Sequence, residues 1–383
     1  MTAIPVTVVG PKESGKTVYL ASLFRRLAMQ RDDVGFFVQV SPEQAKKLNN
    51  IYQEIVAPDT WPEATLLAHT PEWEFACSVR TGQGRVFSPF TVSYLDFAGE
   101  HLTGSGETET GKHVWERIRK SEFLLVLLDG VKVLRCFDGD YRLVDELVPV
   151  FNALQSNNAV VHFVVTKWDL LEAAGHTVGT VLDRLQEHDD FRACFEDRLR
   201  RAGEAGALRL IPVSSLGAGF AVPGPDGETM IKKGRFPRPQ NVEVPMMAVL
   251  VDLFDKTLKD MERAQPGRPD DDALRRRTSQ LDRLRTFRKR IPAVRAFLQA
   301  RAATSPAARV VRDTMLDALV DYVDRQVSEY DRKIEHDVAR LRGRVTQART
   351  EKEALIGLVR SFRATLADFE VAHPGSSVLG KAS

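Results

Sequence analysis

Cysteine is scarce in this sequence. Only Cys77, Cys136 and Cys194 occur among 383 residues, scattered without the spacing of metal ligands. That excludes a cysteine-built metal site and leaves buried thiols in a reducing compartment as the expectation. An excess of one charge is also lacking. Lys and Arg number 54 against 52 Asp and Glu, a net +2. This removes any whole-chain pull toward nucleic acid or a membrane surface. No apolar run reaches the roughly 20 residues of a membrane span, and the opening "MTAIPVTVVG" carries no positively charged leader. A soluble, cytoplasmic protein is expected. What is present suffices for a core. Hydrophobic residues make up 43% of a chain long enough for one large domain or two.

The first stretch with chemical content is "GPKESGKT", residues 10–17, which fits G-x-x-x-x-G-K-[ST]. Before it, "IPVTVV" reads as a buried strand. After it, Leu20, Leu23, Phe24 and Leu27 recur at helical spacing. Strand, glycine turn and helix are the setting of a phosphate loop, in which backbone N–H groups and a helix N-terminus face an anion. The candidate contacts are Gly10, Lys12, Glu13, Ser14, Gly15, Lys16, Thr17 and Val18. Lys16 belongs between the β- and γ-phosphates, and Thr17 offers its hydroxyl to Mg²⁺. Lys12 reads either as added positive charge near the γ-phosphate or as a solvated rim lysine.

Residues suited to reading a base stand at the ends of later strands. "EFLLVLLDG", residues 122–130, is a continuous apolar run and so a buried strand. "AVVHFVVTKWDLL", residues 159–171, is another, running into Thr166, Lys167, Trp168 and Asp169. A carboxylate at Asp169 accepts hydrogen bonds from both N1–H and N2–H of guanine. Adenine has no such donor pair and leaves the carboxylate unmatched. The Lys167 stem is expected to cover the base face. "LRLIPVSS" then ends at Ser214 and Ser215, followed by Leu216, where backbone N–H groups can reach guanine O6. Between these lies "FTVSYLDFAGE", residues 90–100. Asp96 ends an alternating strand, suited to holding Mg²⁺ through water. Gly99, three places on, lets a backbone N–H approach the γ-phosphate.

D-x-x-G alone is weak, but the order phosphate loop, D-x-x-G, T-K-x-D and S-S-L, each at the end of an expected strand, is not. With "GPKESGKT", "DFAG", "TKWD" and "SSL", the chain resembles the Ras-like, translation-factor-related (TRAFAC) class of P-loop GTPases over about residues 4–216. The resemblance implies an α/β fold with a mostly parallel sheet flanked by helices, binding of GTP or GDP with Mg²⁺, and two switch regions that order around the γ-phosphate. Its catalytic candidates are Lys16, Thr65, Gly99, Glu100 and His101, and its metal candidates are Thr17, Thr65 and Asp96.

The sequence departs from the class in two places. Thr166 stands where asparagine is commoner, and Glu100 stands where glutamine or histidine often follows the glycine. Glu100 brings negative charge toward the phosphates, and His101 comes one place late. Slow, partner-dependent or absent hydrolysis therefore stays open beside the enzyme reading, with an ATPase as a third. The first-switch threonine is open among Thr60, Thr65 and Thr70. Thr65 is favoured because it follows the Trp61-Pro62 turn and precedes the expected strand "EWEFACSVR". An added strand and helix near 34–57, "GFFVQV" and "SPEQAKKLNNIYQEIV" with Ser41 as N-cap, loosely resemble bacterial GTPases of multi-protein conflict and defence systems. That likeness implies regulation of protein partners.

Residues 1–265 are expected to form the nucleotide-binding domain. It includes a polar, glycine-rich second switch after Gly99 and a Gly/Pro-rich excursion at 217–245 that turns at Asp226-Gly227. Residues 266–372 are expected to be all-α, a helical or coiled-coil partner module. Its basic stretch at 275–301 reads first as a solvated helix face, with contact to anionic lipid or nucleic acid as the alternative. An apolar stripe runs from Leu316 to Ala348 and on through Leu355, Leu358, Phe362, Leu366 and Phe369. The stripe must be buried by neighbouring helices, by fold-back or by self-association. Protein partners are expected at the switches and at these helices. Residues 373–383 read as a disordered tail.

Overall fold

The unbroken apolar runs "FLLVLL" and "VVHFVV" become β5 (Phe123–Leu128) and β6 (Val160–Val165), each buried along its whole length. Strands covered on both faces need no polar alternation. In the computed structural model, which describes residues 4–31, 34–58, 60–63, 72–96, 109–205, 208–227, 229–263 and 351–378, these two strands lie inside an eight-stranded sheet. The other members are β1 (Ile4–Val9), β2 (Phe37–Gln39), β3 (Glu72–Arg80), β4 (Val86–Asp96), β7 (Leu208–Pro212) and β10 (Ser377–Val378). Their order is β10-β7-β6-β5-β1-β4-β3-β2. From β4 through β1, β5 and β6 to β7 every pairing is parallel. β2, β3 and β10 join antiparallel. The parallel block brings its strands' C-terminal ends to one edge, where open α/β sheets bind ligands.

Helices cover both faces. Val6 and Val8 of β1, Leu125 and Leu127 of β5 and Val164 of β6 face one core. They meet α1 (Lys16–Leu27), α9 (Val244–Arg263) and α10 (Glu351–Ala372) through Leu20, Leu23, Phe254 and Phe362. The alternate residues, Leu124, Val126, Phe163 and Val165, face a second core. It is formed with α5 (Arg142–Gln155) and α8 (Asp189–Ala205) through Leu147, Phe151, Phe191 and Phe195. The added strand and helix appear as β2 and α2 (Pro42–Val56). The Ser41 side chain accepts from the Gln44 N–H, and proline stands in the first turn, the residue types that start a helix. The remaining helices are α3 (Glu109–Lys120), α4 (Gly130–Cys136), α6 (Trp168–Ala173) and α7 (Val178–Gln186). Among the described residues no helix is long and apolar enough to cross a membrane. The three cysteines carry no disulfide. Burial pushes the Cys136 and Cys194 thiols up to about 12, so neither is a thiolate nucleophile near neutral pH.

The C-terminal residues alter one expectation. Leu358, Phe362, Leu366 and Phe369 of the stripe are buried in the core shared with the sheet. Phe362 meets Phe36 edge-on at 4.9 Å between ring centres. Beyond α10 the chain turns through Gly375, and Ser377–Val378 pairs with β7, while the Leu210 N–H donates to Ser376 O at 2.8 Å. The disordered tail expected from 373 is thus corrected as far as Val378. A two-residue strand has no periodicity to read, so sequence pattern misses it. The basic stretch 275–301 and the stripe from Leu316 to Ala348 lie outside the described residues.

A buried ionic group joins α9 and α10 to the sheet. Arg209 Nη1 donates to both carboxylate oxygens of Asp252 at 2.9 and 2.7 Å, and its Nε donates to Glu370 at 3.3 Å. His162 Nε2 lies 3.0 Å from Asp252 Oδ2.

Candidate nucleotide site

The site sits where β1, β5, β6 and β7 end. After Val9 the chain turns through residues 10–15 into α1. Gly15 lies at φ 82°, in the left-handed region, and no side chain caps the helix. The first N–H groups of any helix lack acceptors within the helix itself. Gly10 is required for a different reason, since a Cβ there comes within 2.7 Å of both Leu127 O and Ser14 Oγ. Glu13 also has positive φ, at 67°. Lys16 is buried, and its ammonium donates to Gly10 O and Pro11 O at 2.9 Å each and to Ser14 Oγ at 3.4 Å. The loop is wrapped around its own lysine.

The ends of β6 and β7 are tied to this loop and to each other. Thr166 Oγ1 donates to Ser14 O at 2.9 Å and to Leu128 O at 3.2 Å. Lys167 takes a left-handed turn at φ 51°, and its Nζ donates to Asp129 Oδ2 at 2.8 Å. The other Asp129 oxygen caps α4 by accepting the Val131 N–H at 2.8 Å. Asp169 lies in the first turn of α6, and its Oδ1 accepts from Ser214 Oγ at 2.5 Å. Ser214 Oγ accepts in turn from the Gly217 N–H at 3.0 Å. One oxygen of the Asp169 carboxylate is thereby fixed in orientation.

Several of these groups border one cleft of about 410 Å³, within the range of small-molecule sites. One wall is Lys12, Glu13, Gly15, Lys16, Thr17 and Val18. A second is Thr166, Lys167 and Asp169 with Ser214, Ser215, Leu216 and Gly217. A third consists of Trp61, Pro62 and Glu63 together with Ala221, Thr229 and Met230. The last three belong to a hairpin of β8 (Ala221–Pro223) and β9 (Met230–Lys232), inside the Gly/Pro-rich excursion. Its turn is held by Asp226, whose carboxylate accepts the Thr229 N–H at 2.9 Å and the Thr229 hydroxyl at 2.5 Å.

Of the residues singled out in the sequence, Gly10 and Ser14 support the loop from outside this lining. Asp96 closes β4, paired with Val8 of β1 and hence close to the start of the loop. Thr60 does not line the cleft; its hydroxyl donates to Glu54 O at 3.4 Å. Thr65, Thr70, Gly99, Glu100 and His101 lie outside the described residues. Sequence reasoning missed Asp129 and the whole third wall. The Asp129-Gly130 pair at a strand end was the available signal for the first. Trp61 read only as part of a turn.

The chain matches no family description and no curated protein sequence. Among solved structures it is similar to a chain of the signal recognition particle receptor SRb-GTP/SRX complex from Chaetomium thermophilum. The two are 16% identical with a TM-score of 0.36, over 60% of this chain and 95% of that one. The likeness is distant, and the cleft's own residues carry the functional assignment.

Proposed function

We propose that this protein is a switch that binds GTP and GDP with Mg²⁺ and hydrolyses GTP. One observation carries the reading. Three stretches from different strand ends, within residues 12–18, 166–169 and 214–216, contribute residues to the same cleft. Their chemistry is complementary to the two ends of a guanine nucleotide. A buried ammonium now bonded to neutral carbonyls, at 2.9 Å, gains stronger charge-assisted bonds from phosphate oxygens. The Gly10 and Gly15 backbone makes the loop a cradle of N–H groups. Asp169, oriented by Ser214, takes the N1–H and N2–H edge of guanine. The Lys167 stem, anchored on Asp129, covers the base face.

The donor set also suits magnesium. Thr17 lines the cleft beside Lys16, and a hydroxyl is the kind of hard oxygen donor that ion takes. In this reading Thr17, Asp96 and Thr65 would hold it, and when bound it would supply positive charge to offset that of the β- and γ-phosphates. Lys16 adds positive charge at the same place.

The test is phosphate release over many turnovers with Lys16→Ala as the blank. Release above the blank is expected. The variant itself should bind nucleotide about ten- to a hundredfold more weakly, the worth of a charge-assisted bond. Glu100, directly after Gly99, favours a second reading, a nucleotide-dependent interaction protein with little hydrolysis. Tight GTP binding without release above the blank selects that reading.

A further inference from the structure

The third wall of the cleft belongs to neither the phosphate loop nor the base-reading stretches, and it is assembled from two segments far apart in the chain. Trp61 follows α2. The β8–β9 hairpin lies beyond β7. They meet at three points. Trp61 Nε1–H donates to Met230 O at 2.8 Å. Lys232 Nζ donates to Glu54 O at 2.9 Å, to Ala57 O at 2.6 Å and to Thr60 O, so the hairpin caps the C-terminal carbonyls of α2. The same ammonium stands 4.4 Å from the centre of the Trp61 ring, within cation–π range. Behind this contact Ala21, Ile55, Phe220 and Ala221 are buried together, with Trp61 and Met230 packed on them. Ala21 belongs to α1, the helix that begins at the phosphate loop.

We propose, resting on the guanine-nucleotide reading above, that Trp61 and the β8–β9 hairpin form a clasp that retains the nucleoside end of the bound nucleotide. The wall's indole, thioether and alanine methyl suit a purine–ribose surface; its Trp61 N–H and Thr229 hydroxyl are donated to Met230 O and Asp226, and the Glu63 carboxylate repels a phosphate. Phosphate loop and Asp169 fix the two ends of the ligand, so it leaves when this third wall gives way. Lys232 does not line the cleft. It acts through Trp61 and α2, as a positioning residue.

The full-length protein is loaded with N-methylanthraniloyl-GDP, and release is followed after adding excess unlabelled GDP. Trp61→Ala and Lys232→Met should each release label about tenfold faster, with association little changed, as is usual for contacts that tune affinity through dissociation. Trp61→Phe should bind GDP but lose the part of the tryptophan emission change that binding produces in the parent protein. Parent-like release from Lys232→Met overturns the clasp, even if Trp61→Ala is faster or fails to fold. An undiminished emission change in Trp61→Phe also overturns it. If the parent protein takes up no labelled GDP, the guanine-nucleotide reading itself falls. Normal uptake with unchanged release defeats the clasp alone.

Discussion

At the scale of the residue, most weight falls on Asp169 and on the hydroxyl that holds it. Ser214 donates to one carboxylate oxygen and receives the Gly217 N–H. Asp169→Asn exchanges an acceptor for a donor, so preference should move from guanine toward xanthine nucleotides, as measured by competition. Ser214→Ala keeps the charge but loses the orientation. It should reduce discrimination of GTP over ATP about fivefold, roughly the 1 kcal/mol of one hydrogen bond. Thr166 is a departure from the commoner asparagine, yet its hydroxyl reaches both Ser14 O and Leu128 O. Thr166→Val keeps the shape and removes the donor. It should cost about 1–3 kcal/mol of unfolding free energy in urea titrations. The motif residues were legible because phosphate and guanine recognition need fixed residue types at fixed spacing along a strand-to-helix turn. Trp61, Asp129 and Met230 were not, because their roles arise only where distant segments approach.

At the scale of the element, sequence and structure agree where one dominant force acts. β5 and β6 are continuous apolar runs and had nowhere to go but the middle of the sheet. α2 announces its start with Ser41 and Pro42. The hairpin at 221–232 was legible as a turn at Asp226-Gly227, but not as a wall of the cleft, because its register against Trp61 is set by tertiary contact. α10 was legible as an apolar stripe in need of a partner, and the partner is the sheet core with Phe36. Phe362→Ala should therefore cost about 3–5 kcal/mol in chemical denaturation, the range for a large buried aromatic. A cost below about 1 kcal/mol is what an exposed side chain would give and contradicts the packing of α10 against the sheet.

At the scale of the whole molecule, the Arg209–Asp252 pair with His162 and Glu370 ties two C-terminal helices to β6 and β7. Burial opposes ionisation of Asp252, but the Arg209 guanidinium and neighbouring His162 outweigh it and hold the carboxyl below its ordinary 3.8. Burial pushes His162 below its ordinary 6.5, reinforced by Arg209 and opposed by Asp252. Both shifts have the same sign. Below the ordinary His value the unfolded chain takes up a proton that folded His162 refuses, so stability drops as pH falls. Asp252 adds a further loss as pH passes below its own ordinary value toward the folded one. Denaturation midpoints should therefore decline from about pH 7 to 5.5, by at most about 1.4 kcal/mol per pH unit for one proton. His162→Leu should flatten that decline. Function rests on the cleft. The decisive measurement is a titration of the full-length protein with labelled GTP, GDP and ATP, with and without magnesium. Saturable binding of GTP and GDP, magnesium-strengthened for GTP and at least about tenfold weaker for ATP, is the predicted result. Equal affinity for ATP, or no nucleotide binding at all, contradicts the account.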